Sequence, residues 1–333
     1  MPKFSLIDAA AAMSENFGTD HRYVSVVRVE QGRLLAFAGD PIAALQRCDA
    51  VLALQRQSQA PGKLAVADAY ECRSVALEAQ GRFAEALDVG DHAALLYENA
   101  EGPRSAWMAR IQARLADLAY ERGDSARGNA LLDRALTIER AALTPDSPVL
   151  ADAQLTAARQ RLATGDDADL GALFASALAA YGQAYGADAE ITARCRAAFA
   201  RWLLRQKAPS RGLAEIARAQ RAPSGGASIL AVARAAEILQ ALADYDAANS
   251  DRRAAAERLR AAANVMEGFY PPDHPRVAMA RLRWALAVAA TDPAEARALA
   301  RAALPVLQRE HVPASPWIAQ AQRLADLAPS TPP

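Results

Sequence analysis

Four histidines are the first residues to consider for catalysis or metal binding. His21 and His274 stand in similar segments, "GTDHRYV" and "PPDHPRV", whereas His92 and His311 are isolated. The chain contains no HExxH, no GxSxG, no phosphate-binding loop and no dinucleotide-binding glycine motif. The sequence therefore predicts a protein that is not an enzyme and that uses no cofactor and no metal.

The cysteines are few and widely spaced. Cys48, Cys72 and Cys195 are odd in number, and no CxxC or Cys/His ligand spacing occurs. This pattern argues against both a disulfide framework and a zinc site. We expect three small apolar residues in a reducing compartment.

Composition excludes two further classes of protein. The 333 residues carry 38 basic and 38 acidic side chains, so the formal net charge is zero, which argues against binding of nucleic acid. The N-terminal apolar run is too short for a signal peptide, and no stretch approaches the ~18 apolar residues that span a bilayer. We expect a cytoplasmic protein with no membrane segment.

Helical runs recur along the chain with a fixed period. Breaks at Gly, Asp or Pro interrupt them, and aromatic residues make up only 6% of the chain, which leaves strands little to build on. Mostly small residues recur seven positions before each break, and five and twelve positions after it, which indicates close approach of helix backbones. The breaks are 42, 42, 42, 42, 43 and 41 residues apart, at Gly39, Gly81, Gly123, Gly165, Lys207, Ser250 and Thr291.

Each unit then consists of a first helix, a tight turn, a second helix and a loop. In the third unit the spacing predicts helices over 107–122 and 125–143, with Asp124 or Ser125 as N-cap. The loops "TPDSP" and "PPDHP" separate one unit from the next, with Ser147 or Asp273 placed to cap the following helix.

The phrases "ALTIERAALTPDSPVLADA" (135–153) and "ANVMEGFYPPDHPRVAMA" (263–280), together with the small residues, resemble the tetratricopeptide repeat. The 42-residue variety of kinesin light chains and bacterial multi-domain regulators is the most similar. The resemblance implies an all-α fold, a right-handed superhelical α-solenoid of about seven helix pairs with a half-repeat at each end. It also implies that His21 and His274 cap their loops.

The same register predicts the organisation of the chain. In this register, residues 1–19 correspond to a second helix without a first helix, and residues 20–222 correspond to repeats one to five. Residues 223–312 correspond to repeats six and seven, which follow a Gly/Ser joint. Residues 313–333 phase as a capping helix with a disordered Pro-rich tail. An array that opens in mid-unit fits either the C-terminal part of a longer protein or a genuine start at Met1.

The resemblance also implies a binding face, because first helices line the concave side of such arrays. Residues 13, 10, 9 and 6 positions before the turn point into the groove. The family often has Asn there, and this chain has none at those positions. The candidate partner-binding residues of this face are Arg110, Arg114, Asp117, Asp152, Arg159, Arg194, Arg201 and Arg205.

Two interpretations of these charges remain open. Thirteen positions before the turn, the charge alternates in sign from Asp68 through Arg110, Asp152 and Arg194 to Glu237, which favours a structural ladder of ion pairs between units. A second set of arginines on the same face has fewer acidic residues at the matching positions of neighbouring units. This favours a basic groove that binds an acidic segment or a C-terminal carboxylate. Its members are Arg114, Arg159, Arg201 and Arg205.

The expected function is a non-catalytic scaffold that binds a protein or peptide, such as an acidic segment, on the concave face. One alternative is a C-terminal regulatory region of a bacterial Ser/Thr kinase or transcription regulator, by fold-level analogy. The other is a self-associating scaffold in which Trp107, Trp202, Trp284 and Trp317 lie at an interface, although burial within the array is expected for these rings.

Overall fold

The computed structural model describes residues 22–58, 61–144, 146–222 and 228–327, and these form helices joined by short turns. Fifteen helices are present in these ranges. They are α1 Arg22–Phe37, α2 Pro41–Gln57, α3 Lys63–Ala79, α4 Phe83–Glu101, α5 Ala106–Glu121, α6 Ser125–Ala142, α7 Pro148–Thr164, α8 Leu170–Tyr185, α9 Glu190–Arg205, α10 Pro209–Ala219, α11 Ile229–Ala248, α12 Arg252–Glu267, α13 Pro275–Val288, α14 Pro293–Glu310 and α15 Pro316–Ala325.

Helices that follow one another along the chain pack side by side, except α10 and α11. Within this sequential packing, α1 also contacts α3, α5 contacts α7, and α9 contacts both α10 and α11. First helices of several neighbouring pairs therefore touch one another, as in a helical repeat. The predicted third unit is confirmed to within one residue at each end, as α5 and α6.

Left-handed residues mark the predicted breaks. Gly39, Gly81, Gly123 and Gly165 have φ between 76° and 88°, and the two non-glycine breaks Lys207 and Ser250 have φ of 56° and 68°. This conformation reverses the chain within two residues, and glycine adopts it without the steric cost that a Cβ imposes.

At four of the seven predicted breaks, the aspartate that follows the break caps the second helix. The side chain of Asp124 accepts a hydrogen bond from the Arg127 amide at 3.1 Å, so the predicted N-cap is confirmed. The same arrangement recurs at Asp40, Asp251 and Asp292. Each cap satisfies an amide that the helix leaves free and suits its positive N-terminal end.

The small residues predicted to lie between helices are buried. Those twelve positions after the break are 2% exposed or less. They are Val51, Ala93, Ala135, Ala177, Ala219, Ala262 and Ala303. Gly32 shows how tight the packing is, because a Cβ there would lie 2.6 Å from the Cys72 sulfur. The recurrence of small residues thus reflects close helix contact.

The starts of two later helices contact the turns of earlier helix pairs. Gly81, in the turn of the second pair, packs against His274 at the start of α13, and Gly123, in the turn of the third pair, packs against Ser315 at the start of α15. The Val312 amide donates a hydrogen bond to the Arg122 carbonyl at 3.1 Å. In both contacts, the turn and the start of the later helix belong to units that are five apart in the chain. Units near the end of the array therefore contact units near its beginning.

The cysteine expectation is wrong for one pair. Cys48 of α2 and Cys72 of α3 form a disulfide, with their Cα atoms 5.8 Å apart, whereas Cys195 is free and buried. The two residues are 24 positions apart and show no motif spacing, but adjacent packing of α2 and α3 brings them together. Sequence spacing alone carries no record of that contact.

Several expectations concern parts of the chain outside the described residues. These are the lone helix over 1–19, His21, positions 223–227 of the Gly/Ser joint, and the tail from 328. The second helix of the fifth pair, α10, has only 11 residues, as its sequence indicates. None of the described helices is long and apolar enough to cross a membrane.

Candidate functional site

The predicted binding residues lie on the first helices of successive pairs, and each has a partner within the chain. Five of the six arginines are in ion pairs with carboxylates, namely Arg110, Arg114, Arg159, Arg194 and Arg201. The sixth, Arg205, donates from Nη1 to the Leu162 carbonyl at 2.5 Å. The structure therefore distributes these residues along α5, α7 and α9 instead of gathering them at one point.

Glu71 is the centre of the first group of charges. Arg33 Nη2 lies 2.8 Å from its carboxylate, Arg110 donates to the same oxygen, and the Tyr97 hydroxyl donates to it at 2.6 Å. Burial by itself would raise the pKa of Glu71, but the attraction of Arg33 and Arg110 holds the pKa below its ordinary value. Glu71 is therefore a buried, fully charged carboxylate.

Two steps of the predicted charge ladder carry ion pairs. Arg110 Nη2 lies 3.7 Å from Asp68 Oδ1, and Arg194 Nε lies 3.9 Å from Glu237 Oε1. Between them, Asp152 accepts a hydrogen bond from the Tyr181 hydroxyl at 2.5 Å. Burial raises the pKa of Asp152 to about 6. The predicted ladder thus forms ion pairs between neighbouring units at its first and last steps.

The central arginines pair with acids of two different units. Arg159 Nη1 lies 3.3 Å from Asp117 Oδ1, on the preceding first helix, and its Nη2 lies 2.9 Å from Glu237 Oε1, on α11. Arg201 Nε lies 2.6 Å from Asp244 Oδ2, also on α11. Each arginine side chain keeps 30% of its surface exposed, so solvent reaches these ion pairs.

Arg276 and Arg283 are two further interior arginines, both on α13, and sequence reasoning missed them. Arg276 Nη2 lies 2.7 Å from Glu78 Oε1, and its Nε lies 2.9 Å from Glu121 Oε2. Neither residue occupies a groove position of the resembled family. The sequence signal for Arg276 was its place directly after the loop phrase "PPDHP". That place does not reveal that its ion-pair partners, Glu78 and Glu121, lie far away in the chain.

Arg283 differs from the other interior arginines. It is half-buried, and within the described part of the chain it makes no ion pair and no hydrogen bond. Its charged neighbours are Arg201, Asp244, Arg159 and Glu237. Burial, followed by repulsion from Arg201, lowers the pKa of the Arg283 guanidinium to about 10.

Among the described residues, Glu139 is the most deeply buried carboxylate without a hydrogen-bond partner. Its side chain is fully buried, and neither carboxylate oxygen accepts a hydrogen bond. Burial, with the nearby Asp152, raises its pKa to about 8. Tyr97 and Tyr181 lie 42 residues before and after Glu139, at the equivalent positions of the neighbouring repeats, and each donates a hydrogen bond to an aspartate. The residue equivalent to those aspartates in the repeat of Glu139 is Arg110. Arg110 donates to Glu71 and not to Glu139.

His274 occupies its loop as the resemblance implies. It is the N-cap of α13, where its Nδ1 accepts a hydrogen bond from the Arg276 amide at 3.1 Å, a role that Asp273 was predicted to fill. Burial lowers the pKa of His274 to about 3, so the imidazole is neutral. Among the described residues, no cluster of three or more His, Cys, Asp or Glu is arranged to hold a metal ion.

No protein-family model matches this chain, and no curated protein is similar to it in sequence. The structural finding is an all-helical, repeat-like protein whose helices pack in consecutive pairs.

Proposed function

We propose that this chain is a tetratricopeptide-type α-solenoid, a right-handed superhelix of about seven helix pairs with a half-repeat at each end. Three observations support the assignment. Left-handed residues recur at intervals of 42 or 43 residues, the small residues of the same register are buried, and aspartates cap four of the seven described second helices. A shared geometry at equivalent positions is what a repeat unit requires.

We further propose that the protein is a non-catalytic scaffold that binds an acidic segment of a protein or peptide partner on the arginine-bearing first helices. The observation that carries this proposal is the partial exposure of the ion pairs at Arg159 and Arg201. Ion pairs open to water contribute only ~0–1 kcal/mol, so a partner's carboxylate can replace Asp117 or Asp244 at little cost. A guanidinium also binds a carboxylate with two parallel hydrogen bonds.

Cross-linking of the protein to partners in a lysate, followed by mass spectrometry, tests this function. We expect captured segments rich in Asp and Glu, with cross-links to residues of α7 and α9. The double variant Arg159→Glu/Arg201→Glu should lose the capture. Arg253→Glu is the matched control, because Arg253 is 91% exposed and its ion pair is with Glu257 on its own helix. Equal capture by all three proteins would refute the proposal.

A second function, self-association, is favoured by a separate observation. Large apolar side chains of α1 and α2 face solvent, among them Leu34 at 51% and Ile42 at 66% exposure. Apolar groups of this size, when adjacent, mark an interaction surface. A solution mass well above 35.3 kDa that Ile42→Glu returns to the monomer value would support this function. The kinase or transcription-regulator alternative stays a prediction.

The tryptophans give less support to self-association than the exposed side chains of α1 and α2 do. Trp202, Trp284 and Trp317 are half-buried within the array. Trp107 is more exposed, but its ring stacks on Tyr97, with centroids 5.7 Å apart, and lies under the guanidinium of Arg110. These rings therefore serve packing within and between helix pairs, as expected.

A further inference from the structure

Two of the contacts between late and early units contain a histidine. His274 begins α13 and packs against the turn of the second pair, where a Cβ on Gly81 would lie 2.9 Å from its Cδ2 atom. His311 follows α14 and packs against the turn of the third pair, where a Cβ on Gly123 would lie 3.5 Å from its Nδ1 atom. The two histidines are 1% and 3% exposed, so closure of the array shields both imidazoles from water.

His274 fits its contact only as a neutral imidazole. Its Nδ1 accepts a hydrogen bond from the Arg276 amide at 3.1 Å, and a proton on Nδ1 would set two donors against each other. The ring also stacks on Tyr270, with centroids 4.1 Å apart, and meets the Phe83 ring edge to face at 5.8 Å. Protonation therefore removes the cap of α13 and places a charge between two aromatic rings, away from water.

The charged groups around His274 do not compensate for that charge. Arg276 repels it, and Glu78 and Glu121, the acids that α3 and α5 bring to this point, are held in ion pairs with Arg276. From α14, Arg309 donates to the backbone carbonyl that precedes His274. Two carbonyls at the end of α3 attract a proton, but burial and Arg276 outweigh them and lower the pKa of His274 to about 3.

His311 has a similar environment in the second contact. Its Nδ1 lies 3.2 Å from the Ser315 hydroxyl, and its Nε2 is buried without a hydrogen-bond partner among the described residues. Arg122, on the facing turn, donates from Nε to the Glu310 carbonyl at 2.7 Å, and the Glu310 carboxylate is in an ion pair with Arg309. Burial, followed by repulsion from Arg122, lowers the pKa of His311 to about 4.

We infer that these contacts form an acid-sensitive switch, in which protonation of His274 and His311 releases the starts of α13 and α15 from the turns at Gly81 and Gly123. In the closed array both imidazoles are neutral, and in the open array water reaches them. The helix pairs stay folded in the open array, because each helix also packs on its neighbours in the chain or in the next unit.

The direction of the pH dependence follows from the pKa values of the two states. An imidazole in water has a pKa of about 6.5, and each buried imidazole has a lower one. Closure is therefore fully favoured above about pH 6.5 and weakens as pH falls toward 4. Between pH 7.5 and pH 5, each histidine should shift the equilibrium toward the open array about 30-fold, and both together about a thousandfold.

Hydrogen exchange followed by mass spectrometry at pH 7.5 and pH 5 tests this switch, with labelling times scaled to equal intrinsic exchange. The Val312 amide reports the second contact directly, because it donates to the Arg122 carbonyl at 3.1 Å. We expect the protection of peptides that contain Val312 to fall at least tenfold at pH 5. Protection of peptides from α8 and the helix content measured by circular dichroism should not change.

The double variant His274→Asn/His311→Gln removes both titrating groups and should keep its protection at pH 5. Asn retains the cap of α13, because its side-chain oxygen also accepts a hydrogen bond from a backbone amide. His92→Gln is the matched control, because His92 is exposed, and it should lose protection as the native protein does. If the double variant is already open at pH 7.5, each single variant serves instead and should show a loss about 30-fold smaller than the native loss.

Three results would overturn the inference. The first is equal protection of the Val312 peptides at both pH values in the native protein. The second is a loss at pH 5 that is as large in the double variant, or in each single variant, as in the native protein. The third is an equal loss of protection in α8, because the whole chain would then unfold in place of opening at these contacts.

Discussion

Arg276 and Glu78 are 198 residues apart in the chain, yet Nη2 of the first lies 2.7 Å from Oε1 of the second. Glu78 also accepts a hydrogen bond from Arg114 at 2.8 Å, so one carboxylate joins α3, α5 and α13. This ion pair connects the seventh helix pair to the second. It shows that the interior of the array is lined by contacts between early and late units.

Loss of Arg276 should weaken the closure of the array. Arg276→Met leaves Glu121 half-buried without its partner, and we expect the free energy of unfolding to fall by about 2–4 kcal/mol. Urea denaturation measures this fall. A double-mutant cycle with Glu121→Gln should yield a coupling energy of about 1–3 kcal/mol. The exposed control Arg253→Met should change stability by less than ~0.5 kcal/mol, and an equally small change in Arg276→Met would argue against closure.

The turn at Gly81 should tolerate a side chain less well than the turn at Gly165. The two glycines have φ of 79° and 78°, so alanine has the same backbone cost of about 1 kcal/mol at both. At Gly81, however, the new Cβ would lie 2.6 Å from Pro275 Cδ, whereas at Gly165 the nearest atom is 3.9 Å away.

We therefore expect Gly81→Ala to reduce the melting temperature by several degrees more than Gly165→Ala, since ~1 kcal/mol corresponds to about 2–4 °C in a chain of this size or somewhat smaller. The difference between the variants reports the contact of the second turn with α13 alone. Equal melting temperatures would mean that this contact is absent in solution.

Oxidation of Cys48 and Cys72 should stabilise the protein. The cross-link closes a loop between residues 24 positions apart, which favours the folded state by about 2–4 kcal/mol. We expect a lower urea midpoint for protein that has been reduced and refolded under reducing conditions. Cys195→Ala is the control, because Cys195 is free and should leave the difference between oxidised and reduced protein unchanged.

Peptide mapping without reduction supplies an independent check of that bond. A tryptic fragment pair joined through Cys48 and Cys72 is the expected product. Complete alkylation of both thiols in denatured, unreduced protein would contradict the disulfide.

Glu139 should make stability depend on pH in a defined direction. Its folded-state pKa of about 8 is above the ordinary value of 4.5. The folded state therefore holds the proton more tightly than the unfolded state, and stability falls as pH rises from about 4.5 to 8. Glu139→Met removes this fall, so it should stabilise the protein by at least ~1 kcal/mol at pH 8 and by less at pH 5.

Urea denaturation at both pH values measures the effect. Glu257→Met is the control, because Glu257 is exposed and its ion pair is with Arg253 on the same helix. A Glu139→Met variant whose gain is equal at pH 5 and pH 8 would show that Glu139 is ionised in the folded protein.

Local features of the fold could be predicted from the sequence because they depend on residues close in the chain. The turns at Gly39 and Gly123, the cap at Asp124 and the bounds of α5 and α6 all follow from glycine conformation, side-chain capping and a 3.6-residue period. The 42-residue register then identified which residues lie between helices.

Pairings between distant units could not be predicted in this way. The contacts of Gly81 with His274 and of Glu78 with Arg276 join helix pairs that are five units apart in the chain. No residue pattern within one unit contains both partners of such a contact. The candidate binding arginines show the same division. The sequence register predicted their positions on the first helices, whereas the tertiary structure decided acid partners such as Glu71 and Glu78 on α3 and Asp244 on α11. It also decided that Arg283 has no ion-pair partner among the described residues.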